Sequence, residues 1–177
     1  MKKITIAVLL SVFVAAPAVA ADTGFYAGVK LGSVNYGYSN VTNNSQAGFG
    51  LLGGYAINKY FALEAEYDSL GGFDSATGTI KGSSFGVSGV GSYPFNEQFS
   101  LFGKLGVASS SLKDTAKPGY VGNFTYNNTG LTVGFGGQYN VSGEIGIRVG
   151  IDIYPVGDVN TTTSSARMMY IGGVFKF

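Results

Sequence analysis

The sequence predicts an all-β fold, an eight-stranded antiparallel up-and-down transmembrane β-barrel. Three observations predict it. From Ile145 to Ile153 every second residue is apolar (Ile145, Ile147, Val149, Ile151, Ile153), with Gly146, Arg148, Gly150 and Asp152 between them. Phe61, Leu63, Ala65 and Tyr67 alternate in the same way with Ala62, Glu64, Glu66 and Asp68. A period of two is that of a strand, whose side chains point alternately to opposite faces. The connections between such segments alternate between short and long. The chain also opens like an exported protein, yet no later run is apolar for long enough to form a spanning helix.

The first element is the export signal. Met1, Lys2 and Lys3 precede an apolar run over 4–16, then Pro17 and the triplet Ala18-Val19-Ala20. A basic start, a short apolar stretch and a small-residue cleavage site describe a signal peptide over 1–20. The mature domain is then 21–177. Without Lys2 and Lys3 it carries nine basic and ten acidic groups. No basic field for nucleic acid remains.

Strands read by alternation cover 24–36, 46–57, 60–70, 83–95, 99–112, 128–140, 144–156 and 166–177. Asn58-Lys59, Asn96-Glu97-Gln98 and Val141-Ser142-Gly143 are short turns. The segments 37–45, 71–82, 113–127 and 157–165 are longer and rich in Asn, Ser, Thr, Gly and Asp. Sequential antiparallel pairing puts all short turns at one end and all long loops at the other, as in outer-membrane barrels. In lipid every backbone polar group must be paired, so the sheet is expected to close.

Aromatics are expected in two belts. Phe25, Tyr26, Tyr55, Tyr93, Phe95, Phe99, Tyr139, Phe175 and Phe177 lie toward the short-turn end. Tyr36, Tyr38, Tyr67, Tyr120, Tyr126 and Tyr154 lie toward the long-loop end. A soluble barrel of opposite polarity would show water rows of glycine with few charges. The apolar face is therefore expected to meet lipid.

With that polarity, Lys30, Glu64, Glu66, Asp68, Lys104, Glu144, Arg148, Asp152 and Lys176 point inward. Eight strands leave an interior only wide enough for side chains, so these charges must pair. Arg148 can give a bidentate fork to a carboxylate. Lys30 and Lys104 pair among Glu66, Asp68 and Asp152 with the partners unassigned. Gly28, Gly54, Gly86, Gly134 and Gly146 make room for long side chains.

Chemistry is limited by what is missing. The chain has no cysteine and no histidine, so no disulfide, no thiolate metal site and no histidine base for a serine nucleophile or a water. The loop acids Asp74, Asp114 and Asp158 are too scattered for a calcium loop. Gly48-Phe49-Gly50-Leu51-Leu52-Gly53 fits G-x-G-x-x-G but lacks the strand–turn–helix setting of a dinucleotide site. No catalytic residue, metal or cofactor is expected.

The C-terminus, Tyr170-Ile171-Gly172-Gly173-Val174-Phe175-Lys176-Phe177, resembles the signal read by the outer-membrane assembly machinery, with Tyr170, Gly172, Phe175 and Phe177 as its positions. Phe25-Tyr26-Ala27-Gly28-Val29-Lys30-Leu31-Gly32, Gly53 to Asn58 running on to Glu64-Ala65-Glu66-Tyr67-Asp68, Tyr93-Pro94 and Lys104-Leu105-Gly106 resemble the transmembrane domain of the outer-membrane protein A family. The resemblance spans essentially the whole mature chain and implies a small OmpA-like, opacity-like barrel in a bacterial outer membrane. The peptidoglycan-binding domain that often follows in the family is expected to be absent after Phe177. The resemblance also implies that Glu64 is the partner of Arg148. It places Val90 and Gln138 where the family has a second acid–base pair, which argues against a charge-exchange gate.

The function expected is therefore structural or surface-interacting, with an interior plugged by charge. A narrow pore or transport channel and a host-cell adhesin are the alternatives. Expected partners are outer-membrane lipid and lipopolysaccharide, the barrel assembly machinery with its periplasmic chaperones, and a host surface ligand for the loops. Lys113, Lys117, Tyr120, Phe124 and Tyr126 are the candidate loop contacts.

Overall fold

In a computed structural model, which describes residues 23–36, 45–74, 78–116, 124–156 and 164–177, eight strands close into one barrel. They are β1 (Gly24–Tyr36), β2 (Ser45–Ala56), β3 (Phe61–Asp74), β4 (Gly78–Pro94), β5 (Phe99–Ala116), β6 (Phe124–Asn140), β7 (Ile145–Val156) and β8 (Ser164–Lys176). Each pairs antiparallel with the next, and β8 returns to β1, so no edge is left open. Closure removes the unpaired backbone groups that lipid would not tolerate. The expected signal segment 1–20, together with Tyr38, Lys117 and Tyr120, lies outside the described residues.

The short turns form as their residues dictate. The side chain of Asn58 accepts the backbone N–H groups of Tyr60 (2.8 Å) and Phe61 (2.9 Å). Asn96 accepts those of Gln98 (2.9 Å) and Phe99 (2.7 Å). Ser142 does the same for Glu144 and Ile145. A short polar side chain that bonds its own backbone two and three residues on stabilises a tight reversal.

At the other end the strands run further than alternation of apolar residues indicates. β3 continues to Asp74, β4 begins at Gly78, β5 reaches Ala116 and β6 begins at Phe124. Register between β4 and β5 is unbroken from Gly78↔Ala116 to Pro94↔Ser100. Ser, Thr and Gly in 71–82 and 113–127 look like loop composition, but backbone pairing continues above the apolar belt because it needs no apolar side chain. A register shift between Ser69 and Gly72 interrupts β3, and Gly71 there has φ 75°. That is left-handed backbone, which suits glycine.

The polarity is that of a membrane barrel. Outward residues are apolar and uncovered, Leu131 at 73% and Leu31 at 64%, whereas Lys30 is 1% and Asp68 0% exposed. Phe25, Tyr55, Tyr93, Phe95, Phe99, Tyr139 and Phe175 form an outward ring at the short-turn end, several in direct ring contact. The expected second belt is different. Tyr67 faces outward, but Tyr36 and Tyr154 are buried inside, as is Tyr26 at the other end. Their positions have the same alternation phase as Lys30 and Asp152, which turns them inward.

Inside, apolar clusters lie toward both ends. Val34, Tyr36, Leu70, Leu112, Tyr154, Val156, Ala166 and Met168 pack together toward the long-loop end. Tyr26, Leu52 and Val174 pack near the short-turn end.

Candidate functional site

The buried charges lie between these clusters, placed by one repeated arrangement. Lys30 on β1 is across from Gly50 on β2, and Gly50 is across from Asp68 on β3. Lys104 on β5 is across from Gly134 on β6, and Gly134 is across from Asp152 on β7. Each lysine crosses a glycine to meet an aspartate two strands away. A Cβ at Gly50 would press on the Asp68 carboxyl and lie 2.8 Å from Lys30 Cε; one at Gly134 would press on Asp152 and lie 2.9 Å from Lys104 Cε. Gly134 is among the glycines the sequence singles out as making room. Gly50 carries the same signal but stands inside the misleading G-x-G-x-x-G.

Lys30 Nζ lies 2.5 Å from Glu66 Oε2, 2.9 Å from Asp68 Oδ1 and 2.9 Å from Asp152 Oδ2. Lys104 Nζ pairs with Glu66 Oε1, with Asp152 Oδ2 at 3.0 Å and with Glu64 Oε1 at 3.5 Å. Glu66 and Asp152 thus bridge both lysines. Arg148 Nη1 donates to Glu64 Oε2 at 2.6 Å. Its fork is not bidentate to one carboxylate, because Nε donates instead to Gln138 Oε1 at 2.7 Å. Gln138 is the cross-strand partner of Arg148, which brings its amide oxygen to Nε.

Four carboxyls meet three cations, and tyrosine hydroxyls supply further donors. Tyr26 donates to Glu64 Oε2 at 2.8 Å. Tyr154 donates to Asp68 Oδ2 at 2.8 Å and lies 3.2 Å from Asp152 Oδ2. The Tyr170 ring lies 5.0 Å from Lys30 Nζ and 5.7 Å from Lys104 Nζ, within range of a cation–π attraction. Tyr26, Tyr154, Gln138 and the inward role of Tyr170 escape a reading that follows charges alone. The same alternation phase would have identified them. Replacing Tyr154 with phenylalanine keeps the ring but removes a hydroxyl shared by two aspartates. It is expected to cost about 1–3 kcal/mol, measured as a shift in the urea midpoint of the lipid-reconstituted barrel.

Other expected site residues fall elsewhere. Glu144 is exposed in the turn before β7, outside the network. The strand starts one residue later than expected, so the phase that would turn Glu144 inward does not apply. Lys176 is exposed at the barrel mouth, where its side chain reaches solvent. Val90 is buried among apolar residues, across from Lys104. With Gln138 it leaves no second acid–base pair at those two positions.

Lys113 is exposed but belongs to β5, and Phe124 opens β6. Tyr126 is half-buried against the inner apolar cluster, turned inward by its phase. At the C-terminus Phe175 faces outward in ring contact with Phe177 at 5.2 Å. Gly172 is across from both Lys30 and Arg148.

Each carboxyl has a cation or hydroxyl partner, and breaking a buried pair leaves an uncompensated charge.

Comparison with known proteins agrees with this architecture. The family model described as outer membrane protein beta-barrel domain matches residues 4–171. Outer membrane protein A of Shigella flexneri is 30% identical over 197 aligned positions, covering 100% of this chain and 56% of that protein. Its counterpart in Salmonella typhi has the same identity and coverage. The chain therefore spans little more than half the length of these relatives. Among solved structures, Neisserial surface protein A superposes with a TM-score of 0.71 at 20% identity, over 87% of this chain and 97% of that one. Ail, the attachment invasion locus protein of Yersinia pestis, gives 0.63 at 18%, over 89% and 99%. The lipid-facing apolar wall, the closed eight-stranded sheet and a family match along nearly the whole sequence lead to one conclusion: the chain belongs to the outer membrane protein β-barrel family, is OmpA-like, and resides in a bacterial outer membrane.

Proposed function

We propose that this protein is a sealed structural barrel of the outer membrane, exported by its segment 1–20 and presenting its long-loop end to the outside. The observation that carries the reading is the filled interior. A network joining Lys30, Glu64, Glu66, Asp68, Lys104, Arg148 and Asp152 lies between apolar clusters toward either end. Small ions would have to pass an interior filled by these side chains, at the high cost of leaving water. Val90 and Gln138 favour a fixed brace over an exchanging gate. A non-catalytic role is supported by the lack of histidine and cysteine in the chain and by the engagement of every network carboxyl. The assembly machinery, through Phe175 and Phe177, and periplasmic chaperones belong to the same reading as partners in biogenesis.

Single-channel recording on refolded protein in planar bilayers tests it. Wild type is expected to show no conductance steps. Glu64→Ala is expected to stay silent too, because the apolar clusters and the lysine–carboxylate pairs among Lys30, Glu66, Asp68, Lys104 and Asp152 remain. Discrete openings in wild type would replace the sealed barrel with a pore. Openings that appear only in Glu64→Ala would make the Glu64–Arg148 pair the gate.

A further inference from the structure

Two lysines face each other on the outer wall at the long-loop end. Lys81 on β4 is the cross-strand partner of Lys113 on β5, and both are exposed. Their neighbours Gly82 and Leu112 are buried, so alternation turns the lysines outward. Like charges directly opposite on one sheet face repel. Neither lysine makes an ion pair among the described residues. An anion between them would turn that repulsion into a two-point attraction.

The surroundings indicate which anion. Toward the membrane from the pair lies an outward polar row in cross-strand register, Ser83, Ser111 and Asn127. Next come Phe85, Ser109 and Thr129, where Thr129 Oγ1 donates to Ser109 Oγ at 3.1 Å. Below these begins the apolar wall of Val87, Val107 and Leu131. Lys81 stands four residues above Phe85, about 13 Å along the strand and about 9 Å in height at a tilt near 45°. Hydrocarbon thus gives way to hydroxyls and an amide, then to two cations, on one continuous strip of wall.

We propose that Lys81 and Lys113 form a clamp for the phosphate of a phosphorylated lipid headgroup of the lipid A class in the outer leaflet. Ser83, Ser111 and Asn127 offer hydrogen bonds to the same headgroup, and the acyl chains lie on Phe85 and Val107. The assignment rests on the long-loop end facing outward, as in the function proposed above. A lipid fits better than soluble phosphate because the clamp opens onto the lipid-facing wall, in line with the apolar belt.

Native mass spectrometry of the refolded full chain tests this with three probes: bisphosphorylated lipid A, the same lipid dephosphorylated, and inorganic phosphate. Wild type is expected to bind the first and discriminate against the other two. Lys81→Gln/Lys113→Gln is expected to bind bisphosphorylated lipid A about 30-fold more weakly, and Lys81→Arg/Lys113→Arg to keep the affinity. Arg167→Gln, which removes an exposed cation on β8, is expected to leave it unchanged. Equal affinity in the double glutamine variant overturns the clamp, as does an equal loss in Arg167→Gln. Wild-type binding that ignores the lipid phosphates also overturns it, and inorganic phosphate bound as tightly as the lipid overturns the lipid assignment. Should the glutamine variant fail to fold, acetylation of wild type decides. Bisphosphorylated lipid A is expected to protect Lys81 and Lys113 and not Lys59; absence of protection rejects the site. Failure of the sealed-barrel reading would show separately, as conductance steps in wild type.

Discussion

Lys30→Met is expected to lower the unfolding free energy of the barrel by about 3–5 kcal/mol, the range for breaking a buried charge pair. Lys30 is 1% exposed and meets Glu66, Asp68 and Asp152 at once. Methionine keeps the unbranched shape as far as Cε but ends one atom short and supplies no donor. Lys104 would then be the cation left to Glu66 and Asp152, and Asp68 would keep Tyr154 as its donor. Urea titration in lipid vesicles, read by the heat-modifiable gel band, measures the loss. Adding Asp68→Asn removes one stranded charge and is expected to return about 0.5–3 kcal/mol as coupling. A Lys30→Met barrel within about 0.5 kcal/mol of wild type would mean that the network is not what braces the interior.

Gly134→Val comes next, with an expected loss of about 1–3 kcal/mol from overpacking. Its Cβ would meet the Asp152 carboxyl and lie 2.9 Å from Lys104 Cε, with the Ile151 carbonyl oxygen at 3.2 Å. Neither side chain can swing away without breaking its own pairs. Gly91→Val is the matched control, since a Cβ there meets nothing within 4 Å and the residue faces outward. Valine favours strand, so Gly91→Val is expected to be neutral or mildly stabilising in the same titration. Equal destabilisation of both variants would assign the cost to the strand backbone in general rather than to the Lys104–Asp152 contact.

Much of this barrel is legible in the chain because strand geometry is local. The alternation of Ile145, Ile147 and Val149 with Gly146 and Arg148 already names both faces of β7, and the structure exposes the first set and buries the second. Asn58, Asn96 and Ser142 mark the tight turns by the bonds they make to their own backbone. Composition misleads at positions where phase does not. Tyr36, Tyr126 and Tyr154 look like belt or loop residues by type, yet their phase turns them inward. Lys113 looks like loop by its neighbours, yet backbone pairing carries β5 past it to Ala116. Glu144 has the inward phase of Gly146 and Arg148 but lies one residue before the strand, in the turn at the barrel mouth, where its side chain reaches solvent.

The sequence by itself determined that the apolar face meets lipid, that the strands number eight and pair in order, and that long charged side chains share a narrow interior. These follow from period, turn chemistry and the cost of unpaired groups in hydrocarbon. Only the tertiary structure decided which charge meets which. Lys30 reaches Asp152 on a strand far away in sequence, Arg148 divides its donors between Glu64 and Gln138, and Lys81 comes to lie opposite Lys113. Those contacts depend on the stagger between strands and on the closure of β8 against β1, and both are set by the whole sheet at once.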